Sequence, residues 1–146
     1  MPRIERTADA VWEGNVARGS GTLTAGSGSF GALPFSLPSR IGAPEGKTSP
    51  EELLAAAHAG CLTMSLASEL TQAGTPPTRL DVTCRIVMDE VEGAGHQIVG
   101  SQITIRADAE GVDDAALDAA IERAHEGCPF STLLRNAGAA VQVGRS

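Results

Sequence analysis

Aromatic side chains are nearly missing from this sequence. Its 146 residues include one tryptophan, three phenylalanines and no tyrosine. That removes the stacking platforms on which single-stranded nucleic acid binds. Lysine is almost absent as well. Lys47 is the single one among 11 basic residues, which face 18 acidic ones for a net charge of −7. Such a surface repels phosphate backbones, so no nucleic-acid partner is expected. Long hydrophobic runs are also lacking. The longest nearly apolar stretch, residues 53–67, is interrupted by His58, Thr63 and Ser65. It falls short of the ~18 residues of a membrane span. The opening Met-Pro-Arg-Ile-Glu-Arg carries charge with no apolar run behind it, unlike a secretory signal. The expectation is no membrane partner and a cytoplasmic location. Cysteine is sparse, at Cys61, Cys84 and Cys128. In a reducing compartment, pairing among them would be catalytic rather than structural.

What remains is ordinary for a globular chain: 42% hydrophobic and 20% charged residues, consistent with a single domain over residues 1–146. Residues 8–40 hold short apolar runs broken by glycine, which read as a small antiparallel sheet. Pro34 and Pro38 suit an edge strand or an irregular loop. Ser49-Pro50-Glu51-Glu52 starts a helix, with Ser49 and Glu52 as a capping box and Pro50 in the first turn. The helix should end at Gly74, before Pro76-Pro77. Its first half is apolar on nearly every face, so it should be buried all round. One chain of this size covers such a helix poorly, and a dimer covers it better. Residues 80–91 alternate as a half-buried strand, and residues 97–107 return after a glycine turn. Asp113 caps an amphipathic helix, Gly127-Cys128-Pro129 breaks it and opens a short one, and Val141 and Val143 form a last strand. The expected class is α+β, with antiparallel sheets packed around a long buried central helix.

Chemistry is concentrated in the cysteines. Cys84 falls in phase with the apolar strand face and reads as an inert core thiol. Cys61 lies deep in the central helix. Cys128 precedes Pro129 at a helix start, where free N–H groups favour a thiolate. His58 and His125 each stand three residues before a cysteine, on the same helical face. Two readings are open at this level. His58, Cys61, His125 and Cys128 could form a structural zinc site in a dimer, or one cysteine could act as a nucleophile. A thiolate at Cys61 would lack helix-dipole support, so a cation must fold onto it. Arg40, flanked by apolar residues ahead of the helix, is the candidate, with Arg18 as the second choice.

The run Ser49-Pro-Glu-Glu-Leu-Leu-Ala-Ala-Ala-His-Ala-Gly-Cys61 resembles the central-helix motif of the OsmC/Ohr family (osmotically inducible protein C and organic hydroperoxide resistance protein). Ala10-Val-Trp-Glu-Gly-Asn15 with Gly19-Ser-Gly-Thr-Leu23 is similar to the OsmC branch, and Gly127-Cys-Pro-Phe-Ser131 to the family's second cysteine motif. The resemblance implies an intertwined homodimer and a peroxidase that needs no metal or other cofactor. It implies that Cys61 attacks a hydroperoxide, organic ones preferred over hydrogen peroxide, and becomes a sulfenic acid. Cys128 then resolves it as an intramolecular disulfide, and a dithiol such as a dihydrolipoyl protein reduces it. Arg40 and Glu51 match the arginine and glutamate that serve the first cysteine; His58 belongs to the motif but is assigned no role, and reads as a satisfied buried histidine rather than a base. Geometry adds one point. Glu51 and Cys61 are ten residues apart, about 15 Å along a straight helix. For Glu51 to serve the site, either the helix breaks or Glu51 comes from another chain.

Overall fold

The computed structural model describes residues 1–146, which form two compact units, Met1–Pro50 and Glu51–Ser146. In the first, strands β1 (Ala8–Glu13), β2 (Ser20–Ala25) and β3 (Leu33–Phe35) form an antiparallel sheet in that order. The Trp12 and Phe35 rings pack with centroids 5.5 Å apart. Gly21 lies under that aromatic pair. A Cβ there would sit 2.5 Å from the Phe35 ring, so the close approach requires glycine. Pro34 lies on the edge strand, where its missing N–H costs no ladder bond. The chain then forms a short helix, α1 (Leu37–Ile41), where the sequence suggested only strand or loop. The start signal is present in hindsight. Ser36 accepts a hydrogen bond from the Ser39 N–H, and Pro38 stands in the first turn. Arg40 lies on this helix.

The second unit is built on helix α2 (Pro50–Gln72), which is continuous over 23 residues. It ends where the glycine was expected to end it. Gly74 takes φ +79°, the Gly74 N–H donates to the Thr71 carbonyl and the Thr75 N–H to the Leu70 carbonyl. Strands β4 (Arg79–Val91) and β5 (Gly95–Asp108) form a long antiparallel hairpin with an irregularity at Val87/Met88. Helices α3 (Asp114–Gly127) and α4 (Pro129–Asn136) follow, then β6 (Ala140–Arg145). Asp113 caps α3, accepting from the Ala116 N–H.

The architecture is α+β as expected, with two differences of detail. The β6 strand runs parallel to β5, because the two-helix crossover through α3 and α4 returns the chain to the end from which β5 started. And α2 is not buried all round within one chain. It buries His58, Leu62, Leu66 and Leu70, one stripe at four-residue spacing, while Met64 is 70% exposed on another face. The stripe meets Ile103 and Ile105 of β5, Ala120, Ile121 and Ala124 of α3, and Cys128 in one core. By length and hydropathy α2 could also cross a membrane, but this shared core makes it the central helix of the second unit.

Candidate active site

Cys61 and Cys128 come together inside the second unit. The helix α2 carries Cys61 one turn before the partly buried Ser65, and the Cys128 backbone forms the link between α3 and α4. Their thiols are near enough to act on one another electrostatically, and neither is in a disulfide. They differ in access: Cys128 is fully buried, while Cys61 is only partly so. A small molecule therefore reaches Cys61 first.

The electrostatics at Cys61 divide into two groups. Burial pushes its thiol pKa up, and the neighbouring Cys128 adds to that shift. Two donors oppose it: the backbone N–H of Phe130 and the Ser65 hydroxyl. Phe130 belongs to the first turn of α4. The Phe130 amide at that helix start thus favours the Cys61 thiolate, while Cys128 itself stands at the N-cap. These donors do not offset the burial within one unit, so a thiolate at Cys61 calls for a cation.

Arg40 lies in the last turn of α1, in the first unit, and Glu51 in the first turn of α2. The α2 helix does not break between Glu51 and Cys61, so this Glu51 stands about 15 Å along the axis from this Cys61.

His58 is a satisfied core histidine. Its Nδ1 lies 2.7 Å from Ser101 Oγ on β5, and its Nε2 lies 2.7 Å from Ser131 Oγ on α4. All three residues have no exposed surface. Burial, aided by the charge of His125, holds its pKa below the ordinary imidazole value. Cys84 lies beside this network, its sulfur 3.3 Å from Ser101 Oγ, and burial pushes its thiol up. The zinc reading is corrected here. His58, Cys61, His125 and Cys128 do not gather into a metal-sized cluster. Both His58 nitrogens are committed to serine hydroxyls, and the two cysteines face one another. Sequence reasoning passed over Ser101 and Ser131. Ser131 stands three residues after Cys128, the mirror of His58 three residues before Cys61, and that symmetry was legible.

A family model described as OsmC-like protein matches residues 42–143, which include both cysteines. The chain belongs to the OsmC family. Peroxiredoxin OsmC of Escherichia coli (strain K12) is 36% identical over 132 residues, covering 90% of this chain and 91% of that protein. The crystal structure of the organic hydroperoxide resistance protein OhrB of Bacillus subtilis has the same fold, with a TM-score of 0.74 at 22% identity, covering 96% of this chain and 98% of that one. An OsmC-like protein of Vibrio cholerae aligns with a TM-score of 0.79 at 15% identity, covering 99% of this chain and 100% of that one. The OsmC fold that the two cysteine motifs implied is therefore the fold of this chain.

Proposed function

We propose that this OsmC-family chain is a two-cysteine peroxidase that reduces organic hydroperoxides, and hydrogen peroxide more slowly. The neighbouring free thiols Cys61 and Cys128, with only Cys61 partly open, carry the reading. The Cys61 thiolate attacks the terminal peroxide oxygen. The O–O bond breaks, the alkoxide takes a proton and leaves as an alcohol, and Cys61 becomes a sulfenic acid. The Cys128 thiol then attacks that sulfur. A disulfide forms and water leaves. An external dithiol, dihydrolipoyl protein in the first instance, reduces the disulfide by exchange and is itself oxidised to a cyclic disulfide. No metal or organic cofactor takes part in these steps.

Arg40 supplies the cation that Cys61 needs, lowering its pKa and donating to the peroxide as charge develops. Glu51 orients the Arg40 guanidinium. Because α2 is unbroken, Glu51 serves the site of a second copy, and the working form is a homodimer in which residues 1–146 act as one domain. The reducing cytoplasm is the compartment that keeps this cycle running. The names of its relatives, peroxiredoxin and organic hydroperoxide resistance protein, support the substrate class.

The test is a thiol count with peptide mapping, before and after one equivalent of cumene hydroperoxide. The expected loss is two of the three thiols per chain, with Cys61 linked to Cys128 and Cys84 still free. An unchanged count, or a disulfide that contains Cys84, overturns the assignment.

A further inference from the structure

His58 is buried, fully hydrogen-bonded and unused by the steps above, yet it sits one helical turn from Cys61. Its bonds have a particular direction. On α2, His58 precedes Cys61 by three residues, and on α4, Ser131 follows Cys128 by three. The contact of His58 Nε2 with Ser131 Oγ, at 2.7 Å, and the contact between Cys61 and Cys128 are therefore successive rungs between the same two segments. The other ring nitrogen is anchored to the sheet through Ser101 Oγ, also at 2.7 Å. His58, Ser101, Ser131 and Cys128 have no exposed surface, so no solvent competes for these bonds.

We propose that His58 is a positioning residue for disulfide closure, holding the start of α4 through Ser131 so that the Cys128 sulfur stays within reach of Cys61. The inference rests on the two-cysteine reading above. A disulfide tolerates little error: Cβ atoms must approach to about 4 Å with a defined torsion. The second cysteine of this pair sits in a two-helix junction with no side-chain cap bond of its own. Its local bonds are those of the backbone, from the Cys128 N–H to the His125 carbonyl and from the Thr132 N–H to the Cys128 carbonyl; the His58 rung ties the turn it opens to α2. A neutral imidazole suits the task, since one nitrogen donates and the other accepts and both hydroxyls can reciprocate. An apolar residue would take the imidazole partner from both hydroxyls in the core and leave Ser101 only the Cys84 sulfur.

The experiment separates the two chemical steps. Reduced protein is mixed rapidly with cumene hydroperoxide, quenched with an alkylating agent, and analysed by mass spectrometry for Cys61 sulfenic acid and for the Cys61–Cys128 disulfide. In Ser131→Ala, closure is expected to slow by up to roughly 10²-fold, the scale of a misplacement near 1 Å. Sulfenic acid accumulates, and Cys61 oxidation itself slows far less. Ser131→Thr, which returns a hydroxyl to Nε2, restores closure. His58→Asn attacks the same rung from α2 and shows the same split, so the test stands if one variant does not fold. A general loss of packing would slow both steps alike and would not be rescued by threonine. Parent-like closure in Ser131→Ala and His58→Asn overturns the proposal. Absence of Cys61 sulfenic acid and disulfide in the parent protein overturns the peroxidase reading itself.

Discussion

The three cysteines share one side-chain chemistry and meet three environments. Cys61 is partly open and receives the Phe130 amide and the Ser65 hydroxyl, Cys128 is sealed behind it, and Cys84 rests against Ser101. Cys61→Ser should abolish peroxide reduction, because a serine hydroxyl is not a nucleophile at neutral pH without a base. Cys84→Ser should leave turnover nearly intact. Cys128→Ser should react once and stop, with one and then two oxygens added to Cys61 under excess peroxide, as read by mass spectrometry. Oxygens on Cys128 in the Cys61→Ser variant would reverse the two roles. The pH dependence follows from the burial that pushes the Cys61 thiol up. The thiolate reacts, so the rate climbs with pH until the thiol's pKa is passed. Removing a nearby cation raises that pKa further. Arg40→Ala should therefore shift the pH–rate profile to higher pH. It should slow Cys61 oxidation by roughly 10²–10³, the value of one lost transition-state donor. Stopped-flow oxidation by an organic hydroperoxide across pH is the measurement. A profile identical to the parent would move the role to another arginine, with Arg18 next in line.

At the scale of elements, the junction between α3 and α4 decides where Cys128 stands. The α3 helix is amphipathic, with Ala120, Ile121 and Ala124 in the core, and its start is set by Asp113. The cap bond from the Ala116 N–H to Asp113 Oδ1 is 2.7 Å long. Asp113→Ala should lower stability by roughly 1 kcal/mol, as typical N-caps do. Urea unfolding would show it as a lower midpoint at unchanged slope. Disulfide closure should stay near the parent rate, since the cap lies at the far end of α3 from Cys128. The parallel β6 also belongs to this scale. A strand that follows two helices after β5 has a crossover long enough to run parallel, and the sequence contained that count.

At the scale of the whole molecule, α2 presents an unusual balance. One stripe of the helix fills the core, while Met64 remains exposed in the single chain. The proposed dimer covers that helix and brings Glu51 of one copy to the Cys61 of the other. Met64→Glu should fold normally as a chain, because the position is open, and should weaken the dimer, because a buried unpaired carboxylate is costly. Sedimentation velocity should then show a shift toward the monomer at concentrations where the parent is dimeric. Peroxidase activity should fall with the dimer fraction. A variant that keeps the parent's mass would place the interface elsewhere.

The sequence by itself determined the elements whose signals are local. Gly74 stopped α2, Asp113 capped α3, Pro129 opened α4 and the alternation of residues 80–88 made a strand, because each acts through its own backbone or its immediate neighbours. It also carried the family, through two cysteine motifs whose residue types and order are specific. Only the tertiary structure decided which groups meet. The Phe130 amide went to Cys61, although Cys128 is its closer neighbour along the chain. His58 found Ser101 and Ser131, 43 and 73 residues away. That contact removed the zinc reading and underlies the proposed brace for the second cysteine. Hydrogen-bond partners in a core are chosen by three-dimensional proximity and by the need to leave no buried polar atom unpaired, and neither condition is written in sequence spacing.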